Sequence, residues 1–210
     1  MDSDYLKILQ RGLDELEIEY QPSQLEKTQI YLGLLKKWNK KYNLVADADL
    51  GILVKKHLLD SLLIFNFLNA EQTLDIGTGA GFPGIPLAIF KPQQKFTLLD
   101  SNGKKTRFLF EVKTKLCLNN TVIENCRIEN YQSPYRIDMV ICRAFGALED
   151  IVIKSQHLLS QECKLFAMKG KFPDEEISRL PEEFIVLDSV KLLVPGEDSE
   201  RHLIQVGRKQ

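Results

Sequence analysis

Hydrophobic positions change their period once along this chain. Up to about residue 70 they recur every three to four residues: Leu6, Leu9, Leu13 and Leu16 in "SDYLKILQRGLDELEI", then Leu25, Ile30, Leu34 and Trp38 in "PSQLEKTQIYLGLLKKWNKKY". That spacing gathers the apolar side chains on one face of a helix. Pro22 and a capping box of Ser23 with Glu26 predict where the second helix starts. A third is expected from about Asp49 to Phe67, and no strand pattern precedes Thr73.

Beyond Thr73 short apolar runs alternate with helical stretches: "TLDIG" and "FPGIPLAIF"; "KFTLLD" and "NGKKTRFLFEVKTKLCL"; "TVIEN"; "IDMVIC" and "GALEDIVIKSQHLL"; "CKLFAMK". Strands at this spacing predict a mostly parallel sheet with helices on both faces. Ligands of such sheets bind at the carboxyl ends of the strands, where the strand order reverses. Near the end "EEFIVLDSVKLLV" and "RHLIQVGRK" are joined by "PGEDSE" without a helix, which predicts a long hairpin and so an antiparallel pair. The expected organisation is an α/β protein with a helical extension over residues 1–70 and the sheet domain over 71–210.

Composition narrows the class. With 210 residues, 44% of them hydrophobic and 27% charged, the chain has the make-up of a soluble protein whose core needs no covalent or metal support. Cys117, Cys126, Cys142 and Cys163 form no CxxC pair, which argues against a metal site and suits a reducing compartment. "MDSDYLKILQ" opens acidic and lacks an apolar core, so no signal peptide is expected. "HLLDSLLIFNFL" is interrupted by Asp60 and Ser61 and is too short to span a bilayer. A cytoplasmic location without membrane contact follows as the expectation. The net charge of −1 gives no general attraction to nucleic acid. Local clusters do: Lys36, Lys37, Lys40 and Lys41 around Trp38 and Tyr42; Lys104, Lys105 and Arg107; Lys164, Lys169 and Lys171. Such patches suit RNA and equally suit solvated helix faces.

"TLDIGTGAGFPGIPLAIF" is a glycine-rich strand-to-helix turn. It is not a P-loop, because GxxxxGK[ST] is missing. Gly79, Gly81 and Gly84 match the dinucleotide spacing, but Pro83 offers no N–H to a pyrophosphate in the first helical turn. Asp75, just ahead of the first glycine, is expected at the loop floor, where it would repel phosphate and attract a cation. A tight turn without a ligand is the plain alternative. S-adenosylmethionine, with a sulfonium and an ammonium and no phosphate, meets both conditions. "DIGTGAG" resembles the first motif of class I methyltransferases, whose sheet also ends in an antiparallel strand. That resemblance implies a seven-stranded sheet, close backbone approach to the ligand at Gly77 and Gly79, and Asp100 on the ribose hydroxyls.

The likeness is narrower still. "WNKKYNL", "HLLDSLL", "LDIGTGAGFPGIPLAI", "FTLLDSNGKKTRFL", "CRAF" and "MKG" fall in the order and spacing of the bacterial ribosomal small-subunit methyltransferase G family, formerly glucose-inhibited division protein B. The resemblance runs from about residue 22 to the end. It implies an enzyme that methylates N7 of one guanine in 16S rRNA, in the loop beside the decoding centre, and leaves S-adenosylhomocysteine; a monomer is the separate expectation, and the sequence does not exclude a dimer. It further implies cofactor contacts at Gly77, Phe82, Ile128, Glu129 and Arg143. Cys142 departs from the serine common in that family, a change not expected to alter activity.

Each implied contact also has a role in physical terms. Phe82 can pack beside the methionine end of the cofactor or simply in the core. Ile128 suits the face of the adenine, and Glu129 or a nearby carbonyl its amine. Arg143 can hold a carboxylate or phosphate, donate to guanine O6, or make a structural ion pair. On the RNA side, Lys104, Lys105 and Arg107 oppose a helix dipole at about 0.3–1 kcal/mol each, a placement that phosphates would relieve. Lys169, His57 and Asp60 are further candidates, and Phe145 either stacks on the guanine or belongs to the core. No catalytic acid or base is nominated, because guanine N7 carries no proton and transfer to it needs alignment and desolvation. No Asn-Pro-Pro-Tyr motif for exocyclic amines occurs, no Pro-Cys makes Cys142 a nucleophile, and Cys142 reads as a small buried residue. Two rivals remain open at this point. A nicotinamide-dependent oxidoreductase would bind NAD instead, and an RNA-binding assembly factor would bind rRNA and transfer nothing. Gly77, Gly79, Asp100 and Glu129 as a set speak against the second.

Overall fold

The computed structural model describes residues 4–209. Ser3 of the first expected helix and residues 1 and 210 at the ends of the expected organisation lie outside them. α1 (Asp4–Glu15) and α2 (Pro22–Tyr42) come first. The capping box falls two residues earlier than expected. Gln21 precedes the first turn, and its amide donates to the Gln24 side chain at 2.7 Å. Pro22 at the first helical position has no N–H to place, which lets the helix begin there. Gln24 also donates to the Ile89 carbonyl at 3.0 Å, fastening α2 to a helix of the sheet domain.

The third expected helix exists with an irregularity that periodicity did not show. α3 (Leu50–Leu53), capped by Asp49, passes into a π-helical segment, Val54–Leu59, and then α4 (Asp60–Leu62). A π turn leaves carbonyls without their usual partners. Here Arg143 donates to the Lys56 carbonyl at 3.2 Å and the Ser61 hydroxyl to that of His57. A short 3-10 turn, Phe65–Phe67, closes the segment.

Seven strands follow: β1 (Gln72–Ile76), β2 (Lys95–Leu99), β3 (Thr121–Glu124), β4 (Met139–Arg143), β5 (Lys164–Lys169), β6 (Phe184–Leu193) and β7 (Glu200–Arg208). The helices between and after them are α5 (Gly84–Phe90), α6 (Gly103–Leu116), α7 (Leu148–Ser155) and α8 (Asp174–Ser178). The sheet order is β3-β2-β1-β4-β5-β7-β6, parallel except where β7 pairs with β5 and β6. The expected α/β class, parallel sheet and antiparallel closing hairpin are therefore present. Strand order reverses between β1 and β4, so the carboxyl ends of those strands form the crevice where a ligand fits.

The two faces of the sheet bury different side chains, as strand alternation requires. Leu74, Ile76, Val140 and Cys142 pack with α7. The larger cluster, on the opposite face, joins Leu9, Tyr31, Leu35, Leu58 and Leu62 to Ile85, Leu98 and Phe108. The N-terminal helices thus share one apolar core with the sheet. Trp38, read as part of a basic aromatic patch, packs against Phe108 and donates to Glu111 at 2.9 Å.

Candidate active site

The turn after β1 is held by its own backbone. Gly77 and Thr78 both donate to the Leu99 carbonyl, at 2.8 and 3.1 Å, which pins the loop to the end of β2. Gly77 and Gly79 have φ of +68° and +63°, a region that a side chain disfavours. A Cβ on Gly77 would stand 1.9 Å from the ring of Phe145, so the ring lies directly on bare backbone. Asp100 braces the same loop: its Oδ2 accepts from the Gly79 amide at 3.0 Å and its Oδ1 from Asn102 at 2.8 Å. From α2, the buried Tyr31 hydroxyl donates to the Ala80 carbonyl at 2.8 Å.

Asp75 requires a correction. It is not at the loop floor facing a ligand but fully buried beneath it, accepting from the Gly84 amide at 2.9 Å where α5 begins. Alternation along β1 sends its side chain to the face opposite Leu74 and Ile76. Burial pushes its carboxyl up to about 7, against the opposing pull of Thr78, the Gly84 amide and Arg143. The Gly84 amide is therefore already used, and the start of this helix offers no amide cradle for a pyrophosphate.

Two cavities meet at Phe145. The first, about 390 Å³, is lined by Gly77, Asp100, Lys105, Ile128, Glu129 and Phe145 among others. Carboxylates stand at the end of β2 and after β3, the buried Ile128 offers an apolar surface, and the glycine turn supplies backbone without side chains. That donor set suits a ligand with hydroxyls, a flat base and a cationic end. Lys105, 3.5 Å from Asp100, moderates its charge.

The second cavity, about 420 Å³, is lined by Lys56, His57, Asp60, Arg143, Lys169 and Arg201 together with Cys142 and Phe145. Asp60 is the hub. Its Oδ2 accepts from Arg143 Nη1 at 2.6 Å and its Oδ1 from Arg201 Nε at 2.6 Å. Arg143 Nη2 lies 3.0 Å from His57 Nδ1. Arginine only donates, so Nδ1 accepts and the imidazole proton sits on Nε2. Burial, with the adjacent Arg143 charge, lowers His57 to about 4, so the ring is neutral at physiological pH. The Cys142 thiol is pushed up to about 12 by burial and by Asp75.

The expected site residues divide accordingly. Gly77, Asp100, Ile128 and Glu129 line the first cavity, Arg143 and Lys169 the second, and Phe145 both. Gly79 reaches the site through its bond to Asp100. Phe82 lies beneath, 4% exposed, stacked on His57 at 5.1 Å with the Arg143 guanidinium 5.1 Å from its ring centre. It supports the second cavity rather than facing the first. Lys104 and Arg107 point to solvent outside both cavities, and Lys105 is the cation of that cluster that turns in. The Lys169 ammonium is engaged by the Gly146 carbonyl at 2.7 Å and Glu176 at 2.5 Å, and Glu176 also accepts from the first amide of α7. Arg201, Lys56 and Tyr31 carry no motif and were not among the expected residues. The hairpin did hold a signal for Arg201: β7 pairs His202 with Lys169, which brings residue 201 to the carboxyl end of β5.

Comparison with known proteins decides the family. Residues 24–204 match the family described as rRNA small subunit methyltransferase G. The chain belongs to that family. The ribosomal RNA small subunit methyltransferase G of Nitrosococcus oceani is 44% identical over 98% of this chain and 96% of its own length. That of Pseudomonas aeruginosa is 45% identical over 95% and 94%. Among solved structures the mitomycin 7-O-methyltransferase MmcR aligns at a TM-score of 0.61 and 14% identity, covering 95% of this chain and 68% of that one. M. capricolum TrmK, solved with S-adenosyl-homocysteine, aligns at 0.53 and 13% identity over 71% and 68%. These two likenesses concern the methyltransferase fold. Among the described residues no helix is long and apolar enough to cross a membrane, and no three His, Cys, Asp or Glu are placed to share a metal ion.

Proposed function

We propose that this protein transfers a methyl group from S-adenosylmethionine to N7 of one guanine in 16S rRNA, in the loop beside the decoding centre, acting as a cytoplasmic monomer. Family membership supports rRNA of the small subunit as the substrate. What carries the choice of atom is the state of the proton acceptors in the basic cavity. Both Asp60 oxygens accept from arginines, His57 already accepts at Nδ1, and the Cys142 thiol is held protonated. A site whose proton acceptors are each held by an arginine or kept protonated suits an atom that has a lone pair and no proton to lose.

Bound in the first cavity, S-adenosylmethionine supplies an electrophilic methyl group on a sulfonium. Gly77 and Gly79 let its backbone-facing end approach, Asp100 takes ribose hydroxyls, Ile128 lies against the adenine and Glu129 accepts from its amine. Phe145, shared by both cavities, stacks on the incoming guanine and excludes water from the line between donor and acceptor. Arg143 donates to guanine O6 without occupying N7, and Phe82 acts at one remove by holding Arg143 and His57 in place. Lys105 rather than Lys104 or Arg107 is the α6 cation nearest the reaction. Residues 1–70 serve the domain at 71–210 as a buttress, with Tyr31 steadying the glycine turn. The commitment of the Gly84 amide to Asp75 weighs against a dinucleotide in this turn.

The test offers purified protein and labelled S-adenosylmethionine to small subunits, and separately to 16S rRNA, from cells lacking this gene. Borohydride and aniline then cleave the strand at 7-methylguanine. One cleavage in the decoding-centre loop, lost with Arg143→Ala, is the expected result. Label incorporated without cleavage would refute N7 and keep the methyltransferase. Binding of rRNA without any transfer would favour an assembly factor.

A further inference from the structure

The basic cavity holds more positive charge than its acid neutralises. Four cations line it, Lys56, Arg143, Lys169 and Arg201, against Asp60 as the one carboxylate among its lining residues. Two of the four are committed: Arg143 to Asp60, His57 and the Lys56 carbonyl, and Lys169 to Glu176 and Gly146. The other two keep more of their donors free among the described residues. Arg201 uses Nε on Asp60 and Nη1 on the Glu200 carbonyl, and Nη2 makes no hydrogen bond among the described residues. Lys56 is exposed at the rim, and among the described residues its ammonium meets no carboxylate.

We propose that Lys56 and Arg201 form a clamp for the backbone phosphate of the RNA at the mouth of this cavity, with Asp60 as the residue that positions Arg201. The inference rests on the rRNA reading above and deepens it. A guanidinium fixed at Nε by a buried carboxylate presents its far edge in one direction, and that edge suits a phosphodiester. The alternative use, bidentate recognition of the guanine, would consume the N7 lone pair that must be left open for methylation. The cations at the mouth therefore serve the backbone, which fixes the register of the nucleotide without reading its sequence. The clamp joins elements far apart in the chain: the π segment supplies Lys56, α4 supplies Asp60 and β7 supplies Arg201. On this account the RNA approaches over the third helix and the closing hairpin, not over α6.

The experiment measures binding of a 16S rRNA transcript across a series of salt concentrations, with S-adenosylmethionine affinity measured separately by calorimetry. Removing a cation that neutralises one phosphate reduces the slope of log K against log salt by about one. Lys56→Ala and Arg201→Ala are each expected to lower that slope by about one and to weaken RNA binding roughly three- to tenfold near physiological salt, with cofactor affinity unchanged. Arg201→Lys keeps the slope and restores part of the affinity. Asp60→Asn, which keeps both cations and loosens the hold on Arg201, weakens binding with the slope unchanged. A wild-type slope for both alanine variants overturns the clamp, as does loss of cofactor affinity in Arg201→Ala with RNA binding intact. The Lys56 variant alters an exposed side chain, so misfolding of an Arg201 variant does not stop the test. If wild-type protein methylates rRNA and the slopes do not move, the clamp alone fails. If wild-type protein shows these slopes but transfers no methyl group to rRNA, the rRNA methyltransferase reading alone fails.

Discussion

The two cavities that meet at Phe145 are held open by opposite means. The one over Gly77 is a backbone construction, in which amides of Gly77, Thr78 and Gly79 are fixed by the Leu99 carbonyl and by Asp100. The one around Asp60 is a side-chain construction, a carboxylate between two arginines with a neutral histidine against one of them. A backbone site tolerates most changes nearby and fails where a Cβ intrudes. A charge-built site keeps its shape only while every partner is present, because removing one leaves the others buried and uncompensated. The first cavity should therefore be sensitive to sterics and the second to charge.

The sharpest way to break this contrast is Gly77→Val. A branched side chain at φ +68° costs on the order of 1–2 kcal/mol in backbone strain, and its Cβ would fall 1.9 Å from the Phe145 ring. Cofactor affinity, read by calorimetry, should fall at least about a hundredfold, while the salt slope of RNA binding, set by charges of the second cavity, stays unchanged. The complementary change is Asp60→Ala. The side chains of Arg143 and Arg201 are 15% and 24% exposed, so the loss of stability should be about 3 kcal/mol, the low end for a broken buried pair. Denaturant midpoints measure it, and methyl transfer should fail at RNA binding before it fails at cofactor binding.

Asp75 tests whether charge matters on the backbone side at all. Its folded value of about 7 lies above the ordinary 3.8, so between these values the native state holds a proton that the unfolded chain has lost. Stability from this group is then present at acid pH and declines as pH rises from about 4 to about 7, by roughly 2–3 kcal/mol once relaxation is allowed for. Asp75→Asn has no proton to lose and its amide oxygen still accepts from Gly84. The gap in stability between variant and wild type should widen in the variant's favour across that window, and parallel curves would refute the raised value.

What the sequence disclosed follows the same division. The glycine turn, the acids ending β2 and following β3, the sheet and its closing hairpin are local patterns, because each is written within a few adjacent residues. Asp75 was misplaced although its strand was recognised, since the pattern fixes that alternate residues face opposite ways and not which face the ligand uses. The π segment has no sequence signature: beside the local bond from Ser61 to His57, it depends on Arg143 arriving from far along the chain to take the carbonyl of Lys56. Likewise the Asp60–Arg143–Arg201 group gathers residues 83 and 141 positions apart from its hub, and only the tertiary fold brings them together.

The smallest expected effect tests how far the N-terminal helices take part in the backbone site. Tyr31 is fully buried, and its hydroxyl is the side-chain donor that α2 offers the loop through Ala80. Tyr31→Phe keeps the ring, its packing on Phe82 at 5.6 Å and on Phe108 at 6.3 Å, and removes one proton donor. Leaving a buried carbonyl without that partner costs about 1 kcal/mol, at the low end of the range because the remainder of the loop is held elsewhere. If α2 merely covers the sheet, the whole of that cost appears as lower thermal stability and cofactor affinity is unchanged. If it braces the glycine turn, part of the cost appears in binding: a two- to fivefold weaker cofactor affinity, with the RNA salt slope unmoved. The turn would then owe its geometry to a helix that sits some fifty residues earlier in the chain, and the helical extension would belong to the site as much as the strands do.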